Sequence, residues 1–239
     1  MPIIDAVMKV HIAAGCFALA TFLIPMVTAK GGKAHRRAGW VFVTAMGILT
    51  GTGIPVSIYR LVVETRPYAR LIATFLLFIS VLSGAVTWKG MRVLRFKGAG
   101  ANRDPIDLGI AGVLGLGGIY TFLVGLGAQA PILMFFGPLG VWIAWSDVRH
   151  WLNPNKPKMH WLFEHMGSMI GASIAALTAF SALGARSLGL SAFGAAAWIA
   201  PTVIFLPVSF AMGRYYRRKF GLVEPRARKT AGGSIPVTT

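Results

Sequence analysis

The chain has 239 residues, of which 55% are hydrophobic and only 13% charged. With a mean hydropathy of +0.66, that balance excludes an ordinary soluble domain and fits a polytopic membrane protein. Lys and Arg number 24 against 7 Asp and Glu, a net charge of +17, but the basic residues gather in alternating short loops, which argues for membrane orientation and against a nucleic-acid partner.

A spanning helix needs about 20 mostly apolar residues and satisfies its own backbone hydrogen bonds in lipid. Seven stretches meet that need, at about 6–29, 38–59, 68–88, 106–128, 131–151, 160–183 and 192–213. The expected fold is therefore all-α, a single seven-helix transmembrane domain over residues 1–220. Residues 221–239 lack apolar periodicity and read as a disordered basic tail.

The first stretch carries His11 and the lone Cys16, so no intrachain disulfide is available. Its positive charge follows the apolar run, in KGGKAHRR, whereas a secretory signal has positive charge before it; it reads as a retained span. The second begins just after His35 and carries Gly47, Gly51, Gly53 and Pro55, which suit a kink. The third ends at Trp88, ahead of the longest internal loop, KGMRVLRFKGAGANRDP. In the fourth, Gly109, Gly112, Gly115 and Gly118 lie three apart and predict a packing seam. Gln129-Ala130-Pro131 makes a tight hairpin into the fifth, with Pro131 at the helix start. The fifth ends with Asp147, His150 and Trp151, the sixth opens as HWLFEHMG, and Pro201 and Pro207 interrupt the seventh.

With the N-terminus outside and the C-terminus cytoplasmic, the outer face keeps only Lys9, Arg60, Arg66, Arg70 and Arg186 of the basic residues. The tryptophans Trp40, Trp88, Trp142, Trp145, Trp151 and Trp161 then all mark the inner interface. The expected home is a bacterial plasma membrane, crossed several times, with anionic headgroups at the cytoplasmic face as partners.

The sixth stretch holds the chemistry. Projected at about 100° per residue from His160, Glu164 falls near 40°, Gly171 near 20° and Thr178 near 0°. Met166, Ile170, Ile174 and Leu177 fall between about 240° and 320° and are expected to face lipid, while His165 flanks the polar stripe near 140°. Ionisable groups in a span are costly and mark an interior site or a partner. His160 and Glu164 read either as a hydrogen-bonded structural pair or as part of such a site, with Glu164 alternatively neutralising an arginine from a neighbouring helix.

His35, Asp147, His150, His160, Glu164 and His165 all fall in the cytoplasmic half. Imidazoles converging from separate helices are what haem or a transition metal needs, and axial haem ligation takes two at one depth. His35 and His165 are the expected cofactor ligands, within a metal set of His35, His160, Glu164 and His165. Asp147, His150 and His11 are secondary candidates. His11 stands about 28 Å from Lys30 along the helix, near the outer face and without a histidine partner. The structural readings place His35 among phosphate headgroups and His150 at the interface, with His11 bonded to a carbonyl or lipid group. No CxxC, HExxH or GxSxG occurs, and no catalytic residue is named.

Two elements, H11-xxx-G15-xx-A18 with K30-G-G-K33-x-H35-R36-x-x-G39, and H165-M-x-x-M-I-G171-x-x-I174-A-A-L-T178-A-F180, resemble uncharacterised bacterial polytopic membrane proteins related to domain-of-unknown-function family 2306. The positions matching that pattern are His11, His35, Gly39 and His165. The family's later His-x-x-Trp-Met element is replaced here by His-Met-Gly-Ser-Met. The resemblance implies a multi-spanning membrane protein and no particular activity.

Three functions follow from the residues. A haem- or metal-binding redox protein would exchange electrons with quinone or act on a small lipid-phase substrate. A proton-coupled small-molecule transporter would titrate Glu164 and His165 along a cavity. A non-catalytic scaffold or assembly factor would use the basic surface and tail.

Overall fold

The computed structural model describes residues 2–98, 100–184 and 196–222, and every regular element among them is helical. The helices are α1 (Pro2–Thr21), α2 (Leu23–Val27), α3 (Lys33–Val63), α4 (Pro67–Arg92), α5 (Pro105–Gly127), α6 (Pro131–Leu152), α7 (His160–Ala179) and α8 (Ala196–Lys219). A 3-10 turn, Val93–Arg95, continues α4, and a π turn, Phe180–Gly184, continues α7. Most of the expected tail and the position of Arg186 lie outside the described residues.

Local sequence explains where helices begin. Pro67, Pro105 and Pro131 each open one, where the missing N–H costs nothing and φ is preset. Asp104 caps α5 by accepting a hydrogen bond from the Ile106 backbone N–H at 2.9 Å. Pro25 has no N–H to return to Thr21, and the first span is broken there into α1 and α2. Pro201 and Pro207 behave differently from expectation: α8 runs unbroken through both, as lipid-facing helices can.

Six helices are long and apolar enough to cross a membrane: Ile3–Val27, Lys33–Val63, Pro67–Arg95, Pro105–Gly127, Pro131–Leu152 and Ala197–Lys219. This is the architecture of a multi-pass membrane protein. Outward-facing Phe17, Leu116, Leu123, Phe135, Val203 and Phe210 are each more than half exposed, an apolar girdle suited to lipid and costly in water. The sixth expected span, α7, is absent from those six because its first two turns carry His160, Glu164 and His165.

α4 is the centre of the bundle, packing on α3, α5 and α7, and Phe75, Phe78, Ile79 and Leu82 place its buried side chains in the core. α5 and α6 form the closest pair. A Cβ on Gly118 would lie 2.7 Å from the Gly137 carbonyl oxygen, and one on Gly137 equally close to the Gly118 oxygen, so backbone meets backbone as small residues permit. The expected four-glycine seam is only half formed: a Cβ on Gly109 or Gly112 would meet open space. Steps of three residues drift about 60° each against the helix period, so four such glycines cannot share a face.

α7 also corrects the sequence. Met166 and Ile170, assigned to lipid, are 7% and 4% exposed, whereas Gly167 is open. α7 packs on α4, α8 and α1, and a helix with neighbours on several sides has no single outward stripe for a projection to find.

Candidate functional site

The starts of α3, α5 and α7 and the ends of α4, α6 and α8 meet at one end of the bundle, the end rich in basic residues. Short contacts tie it together. The Asn102 backbone N–H donates to the Trp151 carbonyl at 2.7 Å. Three arrangements of polar side chains form there.

The first is a cavity of about 510 Å³ whose lining includes His35 and Gly39 of α3 and His165 and Met169 of α7. α3 and α7 both pack on α4 but scarcely on one another; the cavity occupies the gap between them. His35 Nδ1 lies 3.1 Å from the Pro25 carbonyl oxygen, and His165 Nδ1 lies 2.7 Å from that of Gly90. A carbonyl only accepts, so each Nδ1 carries the proton and each neutral ring keeps an Nε2 lone pair. The two ring centroids are 6.3 Å apart, edge to face at 64°. Gly90 must lack a side chain for this approach, since a Cβ there would collide with Met169 Cε and stand 3.0 Å from Ser168 Cβ.

The remaining wall is nearly all apolar, with Met26, Met91, Met159, Met166, Met169 and Met212 contributing thioethers. Lys30, Arg36 and Lys97 bring positive charge to the lining. Lys30 also donates to the Pro25 and Met26 carbonyls, at 2.7 and 3.0 Å, and closes the end of α2. Burial holds its ammonium below the ordinary lysine value.

On the other side of the α4–α7 contact lies a buried ion cluster. Lys89 of α4 reaches Asp147 of α6 and Glu164 of α7, both at 2.6 Å. The second Glu164 oxygen lies 3.7 Å from His150 Nδ1. His150 and His160 have ring centroids 5.4 Å apart. His160 Nε2 donates to the Gly98 carbonyl at 3.1 Å, while His160 Nδ1 and His150 Nε2 are buried without a partner. With neutral imidazoles, Lys89 balances one of the two carboxylates.

The third arrangement is fully paired. Arg92 donates through Nε to both oxygens of Asp107, at 3.1 and 3.0 Å, and through its guanidinium to Asp104. Trp88 Nε1 and Asn102 Nδ2 complete the Asp107 shell at 2.8 and 2.7 Å. Every acceptor is used, so it fastens α4 to α5 and offers nothing to a ligand.

The expected residues thus divide. His35 and His165 come together at the cavity. His160 and Glu164 join Asp147 and His150 in the ion cluster, and the four-residue metal set does not meet at one point. Among the described residues, no three His, Cys, Asp or Glu side chains are placed to share a metal ion. Glu164 pairs with Lys89 rather than with His160 or an arginine. His35 Nδ1 is bonded to the Pro25 carbonyl, and the His150 side chain is 9% exposed. Trp151, expected at the interface, is 1% exposed beneath Phe96 and His150. His11 bonds the Thr52 hydroxyl at 2.8 Å, linking α1 to α3.

Sequence reasoning missed Lys89, Arg92, Asp104 and Asp107. A signal for Lys89 was present: two carboxylates in spans demand a cation at their depth, and Lys89 follows directly on the apolar run of the third span. Comparison with protein-family models, curated proteins and solved structures finds no match for this chain.

Proposed function

We propose that this is a seven-span protein of a bacterial plasma membrane, N-terminus outside, that holds a haem or a transition-metal ion between His35 and His165 and uses it for electron transfer. α7 completes the seven spans: it has the length and is enclosed by α4, α8 and α1, which shelter its ionisable residues. Kinship with domain-of-unknown-function family 2306 is part of the same reading and rests on His11, His35, Gly39 and His165.

The observation that carries the proposal is the pair of imidazoles lining one cavity, each with Nδ1 committed to a backbone carbonyl. That second bond is what orients and fixes the tautomer of a ligating histidine. The ring centroids are 6.3 Å apart, a separation that an ion bound by two imidazole nitrogens at about 2.0–2.1 Å each can span. The cavity volume falls in the range of cofactor sites, about 300–1,000 Å³, and Lys30, Arg36 and Lys97 suit acidic substituents on such a group. Bound there, the group supplies one-electron exchange. A matching partner in the lipid phase is a quinol, which releases two electrons and two protons over two such turnovers in becoming a quinone.

The test is an absorption spectrum and elemental analysis of protein purified in mild detergent. About one iron or copper per chain is expected, lost in His165→Ala and in His35→Ala while helicity by circular dichroism is kept. Folded wild-type protein that is colourless and metal-free, even after incubation with haem or metal, overturns the proposal.

The ion cluster favours a second reading, proton-coupled transport, because His150 and His160 each present a buried nitrogen with no partner. Substrate uptake into proteoliposomes that is driven by a proton gradient and abolished by Glu164→Gln supports it; uptake unchanged in that variant removes it.

A further inference from the structure

We propose that a groove between α7 and α8 at the basic end is a binding site for one anionic phospholipid. The inference rests on α7 and α8 spanning the membrane, as read above, and is independent of any metal at His35 and His165.

The groove has a volume of about 220 Å³. Two small residues line it: a Cβ on Gly167 of α7 or Gly213 of α8 would meet no side chain or neighbouring helix within 4 Å. Arg214 and Arg217 lie one helical turn apart at its basic end, with the Ser209 hydroxyl about another turn deeper. The Arg217 guanidinium sits over the Phe163 ring, 4.8 Å from its centroid, which locates this charge at the first turn of α7. Among the described residues no carboxylate pairs with Arg214 or Arg217. Below the arginines the lining includes Phe210 and Met166 beside Gly167, Gly213 and Ser209.

The groove therefore changes character along the bundle. Two arginines at one end give way, within about 12 Å from residue 217 to residue 209, to Gly213, Phe210, Met166 and Gly167, with Ser209 at the inner end. A phosphodiester followed by an acyl chain has that same sequence of chemistry. Basic recesses between helices recognise such headgroups in the leaflet where anionic lipids are abundant, and guanidinium groups bind phosphate oxygens in a forked geometry. A free phosphate would use the arginines and leave the apolar part of the groove, at Phe210 and Met166, unfilled.

The experiment is native mass spectrometry and thermal unfolding of the full chain in detergent, titrated with phosphatidylglycerol, phosphatidylcholine or inorganic phosphate. Phosphatidylglycerol is expected to be retained at one molecule per chain and to raise the unfolding temperature, phosphatidylcholine much less. The double variant Arg214→Gln/Arg217→Gln should lower the affinity about 30-fold, and Gly213→Leu, which fills the groove without changing charge, should lower it comparably. Arg218→Gln, which removes a charge outside the groove, should change it less than about twofold. Equal loss in Arg218→Gln shows a diffuse basic surface and overturns the proposal. So does stabilisation by inorganic phosphate alone, or full binding in Gly213→Leu.

Discussion

Lys89→Met tests the ion cluster most directly. The Lys89 and Asp147 side chains are 9% and 6% exposed, whereas Glu164 is 35% exposed, so the loss falls mainly on Asp147. Removing one partner of a buried pair costs about 3–5 kcal/mol because the other charge is stranded. A stranded carboxylate also has an escape: taking up a proton at pH 7 costs about 1.4 kcal/mol for each of roughly three units above its ordinary value, a ceiling near 4 kcal/mol. Glu164 keeps partial hydration and adds little. The expected destabilisation is thus about 3–4 kcal/mol, measured by reversible unfolding in mixed detergent micelles. Lys89→Met/Asp147→Asn should recover more than half of it, because the stranded charge is gone. A single variant within about 0.5 kcal/mol of wild type, or a double variant no better than the single, would refute the reasoning.

Two further outcomes follow from geometry elsewhere. Gly90→Ala puts a methyl against Met169 and Ser168 and should cost about 1–3 kcal/mol by overpacking, while disturbing the His165–Gly90 bond; wild-type stability together with an unchanged histidine 15N spectrum would contradict this. At the opposite end, the Arg66 guanidinium and backbone N–H donate to the Glu64 carboxylate at 2.9–3.1 Å and hold it down at about 2. The folded value is depressed, so the stabilisation is present above the ordinary value of 4.5 and fades as pH falls toward about 2. The pair is exposed, and screening keeps its contribution small. A 13C titration of the Glu64 carboxyl should show the low value, and Arg66→Gln should return it to the ordinary carboxylate range.

What the sequence made legible was set by signals that survive averaging. Long apolar runs announced helices because lipid leaves the backbone no other partner, and Pro67, Pro105 and Pro131 marked starts because their effect is local. Facing was less legible. The α7 projection placed His160 and Glu164 correctly beside one another in angle, but could not know that α4 would offer Lys89 to Glu164, and the loop after it Gly98 to His160. Those partners lie 75 and 62 residues away in sequence, and the one-dimensional pattern carries no record of which loop folds over which helix. The glycines of α5 failed for a similar reason: spacing of three fits a ridge only over one or two steps, while the contact with α6 was decided by Gly137.

The two polar centres are closer to one unit than their separate contents suggest. Lys89 and Gly90 are neighbours in α4, and Glu164 and His165 are neighbours in α7. One residue step, about 100° of rotation, takes each helix from the ion cluster to the cavity. The Lys89–Glu164 pair and the Gly90–His165 bond are thus two rungs of a single α4–α7 contact, and the absence of a side chain at Gly90 lets both form. A change of charge at Glu164, or a group held by His165 as proposed above, would act on this same contact. Coupling of this kind is reciprocal by linkage.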